Sequence, residues 1–337
     1  MSTQTTSSLP PTVTVVVPVY NGAMTIANCL ESLLDQTYPA DRYEIVVVEN
    51  GSTDETTEVV QRYPVRLFHN KVRGPAAARN RGIHESQAEL IAFTDADCIV
   101  TPNWLSELVK PFQDPTIGAT GGDIQPYRHD QRTDVELFND ENSPWANYLS
   151  GKHEFLPQLY TPNAAYRRSL LVAIHGFNEQ ILTGEDVEIS WRIQMKTGTQ
   201  FAYNRQAVVY HHHRSTWQGL SRQYRQYGFG EILLDTLFGQ HSGYPRSLKT
   251  QLHRLMGQTL ALPRYVASGL IRGLRLVRGR VTPYEATIPW LWFLAESSNI
   301  RGKIEGLIAT HLMTNSQAAL NIRADTFIKR MFPDRKA

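Results

Sequence analysis

The chain has 337 residues, 41% apolar and 20% charged, so it can bury a sizeable core and is neither disordered nor fibrous. Its two cysteines, Cys29 and Cys98, exclude a disulfide framework and fit a reducing cytosol. Net charge is only +2, but residues 241–337 hold 15 Lys/Arg against 5 Asp/Glu, a local +10 that leaves −8 for the first 240 residues. That asymmetry points to an anionic partner for the C-terminal part.

Residues 1–11 are rich in Ser, Thr and Pro and lack a basic segment followed by an apolar one. They read as a disordered tail, not a signal peptide. No stretch reaches the ~20 apolar residues that span a bilayer. The β-branched run over 12–17 predicts a strand buried on both faces. Ile26, Leu30, Leu33 and Leu34 follow at helical spacing, and 43–48 reads as a second buried strand. Ser52 and Glu55 are spaced as a capping box for the next helix. A short strand over 65–68, an Ala/Arg-rich helix over 74–86 and a strand over 89–95 complete the first part. Strands alternating with helices imply βαβ units and a parallel sheet. Beyond Gly122 the pattern loosens. Residues 130–150 read as helical or irregular, 159–167 and 200–210 as strands with a helix over 185–196 between them, and the rest after 215 as mostly helical. The expected class is α/β, a mostly parallel sheet flanked by helices with a helical C-terminal extension. The expected limits are a tail over 1–11, an α/β domain over 12–238 and a basic helical region over 239–337, with a linker near 239–245.

Asp95-Ala96-Asp97 closes the strand expected over 89–95. Side chains alternate along a strand, so the pair would aim two carboxylates together from its C-terminal end, where open α/β sheets bind ligands. Like charges held close call for a cation, and a divalent ion carrying a phosphorylated ligand answers that need. Taken alone, the pair also fits a solvated turn or a helix cap. Cys98 beside it reads as a small buried filler.

Five further segments bear on chemistry. Pro18-Val19-Tyr20-Asn21-Gly22 ends the first strand and can present backbone to a ligand, although any β–α turn would look the same. It is neither a Walker loop nor a dinucleotide fingerprint. Glu49-Asn50-Gly51-Ser52-Thr53-Asp54 puts polar groups at the end of the second strand, suited to a base or ribose, or simply to a turn and cap. Gly74 to Gly82 combines small residues with Arg79, a phosphate-compatible fork on an otherwise ordinary helix. Gly184-Glu185-Asp186 starts a helix, where acidic residues are favoured in any case and a general base could be held. His211-His212-His213 ends a strand, as metal ligands or as solvated histidines.

In this order the segments resemble the family-2 glycosyltransferases of the GT-A fold. The matching stretches are VTVVVPVYNG, EIVVVENGSTDET, GPAAARNRGI, LIAFTDADC, GFNEQILTGEDVEISWRI and VVYHHHRSTWQGLSRQYRQYGFG, within about residues 12–230. The resemblance implies a nucleotide-diphosphate-sugar donor, with a UDP-sugar foremost. It puts Pro18 and Tyr20 beside the base and Arg79 near the base or phosphates. Asn50 stands where an aspartate often accepts from uracil, which weakens the base assignment, although an amide oxygen still accepts. Glu49 replaces another frequent aspartate. Asp95 would approach the ribose and Asp97 would bind Mg²⁺ or Mn²⁺, with His211, or else His213, as the other ligand. Asp186 aligns with the base of an inverting displacement, and Glu185 would either orient the acceptor or raise the pKa of that base. Arg222-Gln223-Tyr224-Arg225-Gln226 only partly matches the (Gln/Arg)-x-x-Arg-Trp motif of processive members, which implies single addition.

Two competing readings remain. A nucleotidyltransferase making nucleotide sugars would carry a Gly-rich, Lys/Arg-containing loop after the first strand, and this chain does not. A catalytically silent sugar-nucleotide or glycan-binding module would have lost a metal or base residue, and none is missing.

In the C-terminal third, a helix over 263–281 would gather Val266, Leu270, Leu274 and Val277 on one face and Arg264, Arg272, Arg275 and Arg278 on the other. Two readings stand. The helix packs on the catalytic domain with a solvated basic face, or it lies on an anionic membrane and serves a lipid-linked acceptor. The first is the nearer expectation, and the +10 balance and the Trp290-Leu291-Trp292-Phe293 cluster keep the second open. Nucleic acid is not expected, for want of any recognition motif. The expected location is cytoplasmic, with peripheral attachment to the inner face of the cell membrane under the second reading.

Overall fold

The computed structural model of the protein describes residues 12–142, 155–181, 183–246 and 248–313. The tail expected over 1–11 and the end of the polar segment, 143–150, lie outside them. The chain divides into two compact units. The first comprises residues up to 127 with 144–179 and 185–212, and the second 128–143, 180–184 and 213 onward.

The first unit is built on eight strands. They are β1 (Val13–Val19), β2 (Tyr43–Glu49), β3 (Arg66–His69), β4 (Leu90–Phe93), β5 (Cys98–Val100), β6 (Ile117–Pro126), β7 (Ala164–Arg167) and β8 (Gln200–His211). They form one sheet in the order β3-β2-β1-β4-β7-β6-β8-β5. The pairings β1/β2, β1/β4, β2/β3 and β6/β8 are parallel, while β4/β7, β6/β7 and β5/β8 are antiparallel. The sheet is therefore mixed. Its antiparallel members lie where the strand–helix alternation of the sequence breaks down.

The helices in chain order are α1 (Ile26–Leu34), α2 (Thr56–Val60), α3 (Pro75–Glu85), α4 (Trp104–Val109), α5 (Asp134–Asn142), α6 (Arg168–Ala173) and α7 (Glu185–Thr197). All but α5 belong to the first unit. Alternate residues of β1 feed two cores, as a strand buried on both faces should. Val13, Val15 and Val17 join Ile26, Leu30, Leu33, Trp104 and Leu108, whereas Val16 joins Ala78, Ile83, Phe93, Tyr166 and Ile189. The small residues of α3 bring that helix close to the sheet. A Cβ on Gly82 would lie 2.3 Å from Val16. The chain steps from β1 to β2 and β3 on one side and to β4 on the other. This switch point lies at the C-terminal ends of β1 and β4, the place where open α/β sheets bind ligands.

Two local expectations fail. The strand expected over 89–95 stops at Phe93, and residues 94–97 turn into β5, closed by Cys98 N donating to Asp95 O at 3.1 Å. Asp95 and Asp97 therefore do not share a strand face. Nor do Ser52 and Glu55 form a capping box. The helix starts at Thr56, whose N–H donates to Asp54 Oδ1 at 3.2 Å, while Ser52 Oγ accepts from Asn21 N at 2.9 Å.

The second unit packs α5 with three long helices, α8 (Trp217–Phe238), α9 (Leu248–Val277) and α10 (Pro283–Met313). Val135, Phe138, Leu220, Leu291 and Ala295 form its core. Trp292 packs on Phe138 at 5.0 Å and stacks on Tyr265 at 6.2 Å, so the Trp290–Phe293 cluster is spent inside this unit. The helix expected over 263–281 starts fifteen residues earlier, at Leu248, and carries Pro263 inside it. Its facing also differs from the packed-helix reading. Leu270, Leu274 and Val277 are exposed, while Arg272 donates to Glu285 O at 2.8 Å. Among the described residues no helix is long and apolar enough to cross a membrane.

Candidate active site

β1, β4 and β8 run in the same direction, so the loops after β1, β2 and β4 and the end of β8 all lie at one edge of the sheet. The first two loops are knitted together. Asn21, at φ 50°, adopts the left-handed conformation that asparagine tolerates, and its Oδ1 accepts from Thr53 N at 2.8 Å. Gly22 N donates to Thr56 Oγ1 at 2.9 Å and Ala23 N to Asp54 Oδ2 at 3.2 Å. Pro18 is half-buried in β1, and the Tyr20 ring is 45% exposed above this floor.

Glu49 and Asn50 are buried at the end of β2 and are used within the protein. Glu49 Oε2 lies 3.1 Å from His69 Nδ1, and its other oxygen accepts from Ser52 N. Burial works against its charge, yet the Ser52 amide and the His69 ring hold its carboxyl below the ordinary glutamate value. Asn50 donates from Nδ2 to Val72 O at 2.8 Å and accepts at Oδ1 from Gly74 N at 2.6 Å. It thereby fixes the loop that leads into α3. Neither His69 nor this bracing was read from the sequence, because both link residues some twenty positions apart.

Arg79 is the centre of the next group. It is 3% exposed, donates from Nη1 to Glu185 Oε1 at 2.7 Å and from Nη2 to Asp95 Oδ1 at 2.9 Å, and lies over the Phe177 ring at 5.8 Å. Burial disfavours its charge, but Asp95, Glu185 and Asp186 outweigh that and raise its pKa. Asp95 is thus turned toward α3, and Glu185 is committed to Arg79. Asp186 is half-buried in the first turn of α7, with one carboxylate oxygen accepting from Val187 N at 2.8 Å. Burial first, and then the charge of Glu185, push its pKa up to about 7.

Asp97 goes the other way. Its Oδ1 lies 3.5 Å from His211 Nε2, and its carbonyl accepts from His212 N at 2.9 Å. Cys98 pairs with His211 across β5 and β8, and one donor atom each from Asp97, Cys98 and His211 lie within 4.8 Å of one another. Cys98 is buried, as a filler would be, and burial with the Asp97 and Asp95 charges holds its thiol pKa well above the usual value. The carboxylate and imidazole are therefore the donors whose chemistry fits a Mg²⁺- or Mn²⁺-class ion. His213 belongs to the second unit, where its Nε2 lies 3.5 Å from Asp140 Oδ1. Also in that unit, Arg225 of the partial (Gln/Arg)-x-x-Arg-Trp motif is held by both oxygens of Glu305, at 2.7 Å each.

Comparison with known proteins bears on the family and the fold. Residues 14–175 match the glycosyl transferase family 2 domain. Glycosyltransferase AglE of Haloferax volcanii is 27% identical over 302 residues, covering 87% of this chain and 96% of its own. The dolichyl N-acetyl-alpha-D-glucosaminyl phosphate 3-beta-D-2,3-diacetamido-2,3-dideoxy-beta-D-glucuronosyltransferase of Methanococcus voltae is 21% identical over 312 residues, 88% of this chain and 97% of its own. Among solved structures, mannosyltransferase PcManGT of Pyrobaculum calidifontis, in complex with GDP-Man and Mn²⁺, superposes with a TM-score of 0.56. It is 24% identical and covers 88% of this chain and 87% of its own, a likeness of GT-A fold.

Proposed function

We propose, since the chain belongs to glycosyl transferase family 2, that it moves a sugar from a nucleotide-diphosphate donor, a UDP-sugar foremost, to an acceptor hydroxyl with inversion. The observation that carries the reading is Asp186. It is a carboxyl pushed up to about 7 by burial and Glu185, next to the Arg79–Asp95 pair at the sheet's ligand edge. A base poised near neutral pH can take a proton without holding it, and a positioned base commonly contributes ~10²–10⁴-fold.

In this reading Asp186 removes the acceptor proton as the oxygen attacks from the face opposite the leaving diphosphate. Asp97 and His211 would hold Mg²⁺ or Mn²⁺, which when bound offsets charge on that diphosphate as a Lewis acid. Tyr20 and Pro18 border the base. Glu49 and Asn50 act on the base through the loops they brace, and Arg79 fixes Asp95 toward the ribose. The name of the Methanococcus relative specifies a dolichyl-linked acceptor. By that likeness, a lipid-linked glycan is the acceptor class proposed here.

The test is a melting-temperature panel of UDP- and GDP-sugars with and without Mn²⁺. One donor class is expected to stabilise the protein only with metal, because a ligand that binds the folded state raises its melting point. Asp97→Ala is expected to lose the metal-dependent part. If no nucleotide sugar stabilises the protein with metal present, the donor reading fails.

A further inference from the structure

We propose that the outer face of α9, from Leu252 to Val277, docks the protein on an anionic lipid bilayer. Leu252, Met256, Leu260, Leu270, Leu274 and Val277 are all exposed, Leu260 by 71%, Leu274 by 63% and Val277 by 87%. At 100° per residue they fall within an arc of about 80–100°, and Ile271 borders it. The stripe runs about 38 Å at 1.5 Å per residue. A monomeric protein rarely leaves so continuous an apolar surface to water.

The opposite side of the helix is the packed one. Gln258 donates to Glu296 at 2.9 Å, Tyr265 stacks on Trp292, and a Cβ on Gly269 would meet the Trp290 ring at 2.6 Å. The stripe is therefore not a core face left open by a missing neighbour. It is the side that remains once α10 has been packed.

Charge selects the occupant. The sequence of α9 holds five Lys/Arg and no Asp/Glu. Arg264 and Arg275 lie just past one edge of the stripe, both exposed, and Arg278 and Arg280 follow its end. A second copy of this chain would set these basic edges together with no counter-charge on either helix. Residues 314–337, with five Lys/Arg against two Asp/Glu, are themselves basic and offer α9 no net complement. Phosphate head groups supply the missing charge, and acyl chains take the leucines. Docking of this kind does not depend on the transfer reaction and should persist in Asp186→Asn.

The experiment is flotation of the full-length protein with phosphatidylcholine/phosphatidylglycerol vesicles, against pure phosphatidylcholine, alongside light scattering for oligomeric state. The wild type is expected to be monomeric, to float with the anionic vesicles and to be released by salt. Leu270→Glu/Leu274→Glu is expected to bind at least about tenfold more weakly, since each change replaces inserted apolar surface with a like-signed charge. Arg264→Glu/Arg275→Glu, which alters only exposed positions, should weaken binding as well. Val172→Glu, at an exposed apolar position off the stripe, should float as the wild type does. The proposal is overturned if the wild type ignores anionic vesicles or if both double variants float unchanged. It also falls if Val172→Glu costs as much, or if the wild type is a dimer that the leucine substitutions dissociate.

Discussion

Arg79 shows how one side chain can organise a site from which it is hidden. Its guanidinium spans two carboxylates, Asp95 and Glu185, that arrive from well-separated parts of the chain. Removing one partner of a buried ion pair leaves the others uncompensated and costs about 3–5 kcal/mol. Arg79→Met should therefore lower stability by about that amount in urea unfolding, whereas Asp95→Asn, at a more exposed member, should cost less. Under the proposed mechanism the carboxyl of Asp186 carries the pH dependence. A base must be deprotonated to act, and this one is pushed up to about 7. Turnover per unit substrate affinity should rise with pH, level off above about 7, and lose this limb in Asp186→Asn. Motif order in the sequence singled out Arg79, Asp95, Asp97, Glu185 and Asp186, but it did not give their pairing. Asp95 and Asp97 were expected on one strand face, yet the strand ends at Phe93, and the intervening turn sends one to Arg79 and the other to His211.

At the scale of elements, the close approach of α3 to β1 sets the position of Arg79. Gly82 faces Val16 across a gap that holds no Cβ. Gly82→Val would overpack this contact and should destabilise the protein by about 1–3 kcal/mol, read as a lower melting temperature. The strands β1, β2 and β4 could be read from apolar runs bounded by turn residues, and α3 from its composition. The antiparallel strand β7 could not be placed from periodicity, since pairing direction is a long-range property that a local pattern does not encode. The capping box failed for a related reason. Ser52 had a better use, accepting from Asn21 N in the neighbouring loop after β1, and tertiary contact overrode the local motif.

For the whole molecule, two kinds of legibility separate. The first unit follows an order of motifs in which the loops after β1, β2 and β4 and the end of β8 fall at one edge of the sheet, so the family could be read before the fold was complete. The second unit is helical and lacks such motifs. Amphipathic spacing identified α9 and its basic residues, but periodicity does not say which face packs. The helix turned out to bury a mixed face of Gln258, Ala261, Tyr265 and Gly269 and to leave its leucines outside. The division of labour in the first unit, with Asp97 and His211 for the donor and Asp186 for the acceptor, is the central claim. It is tested most directly by metal-dependent hydrolysis of the nucleotide sugar that stabilises the protein, where water serves as acceptor. Asp186→Asn should bind that nucleotide sugar with unchanged affinity in Mn²⁺ and hydrolyse it at least ~10²-fold more slowly. Hydrolysis by Asp186→Asn at the wild-type rate would contradict the account.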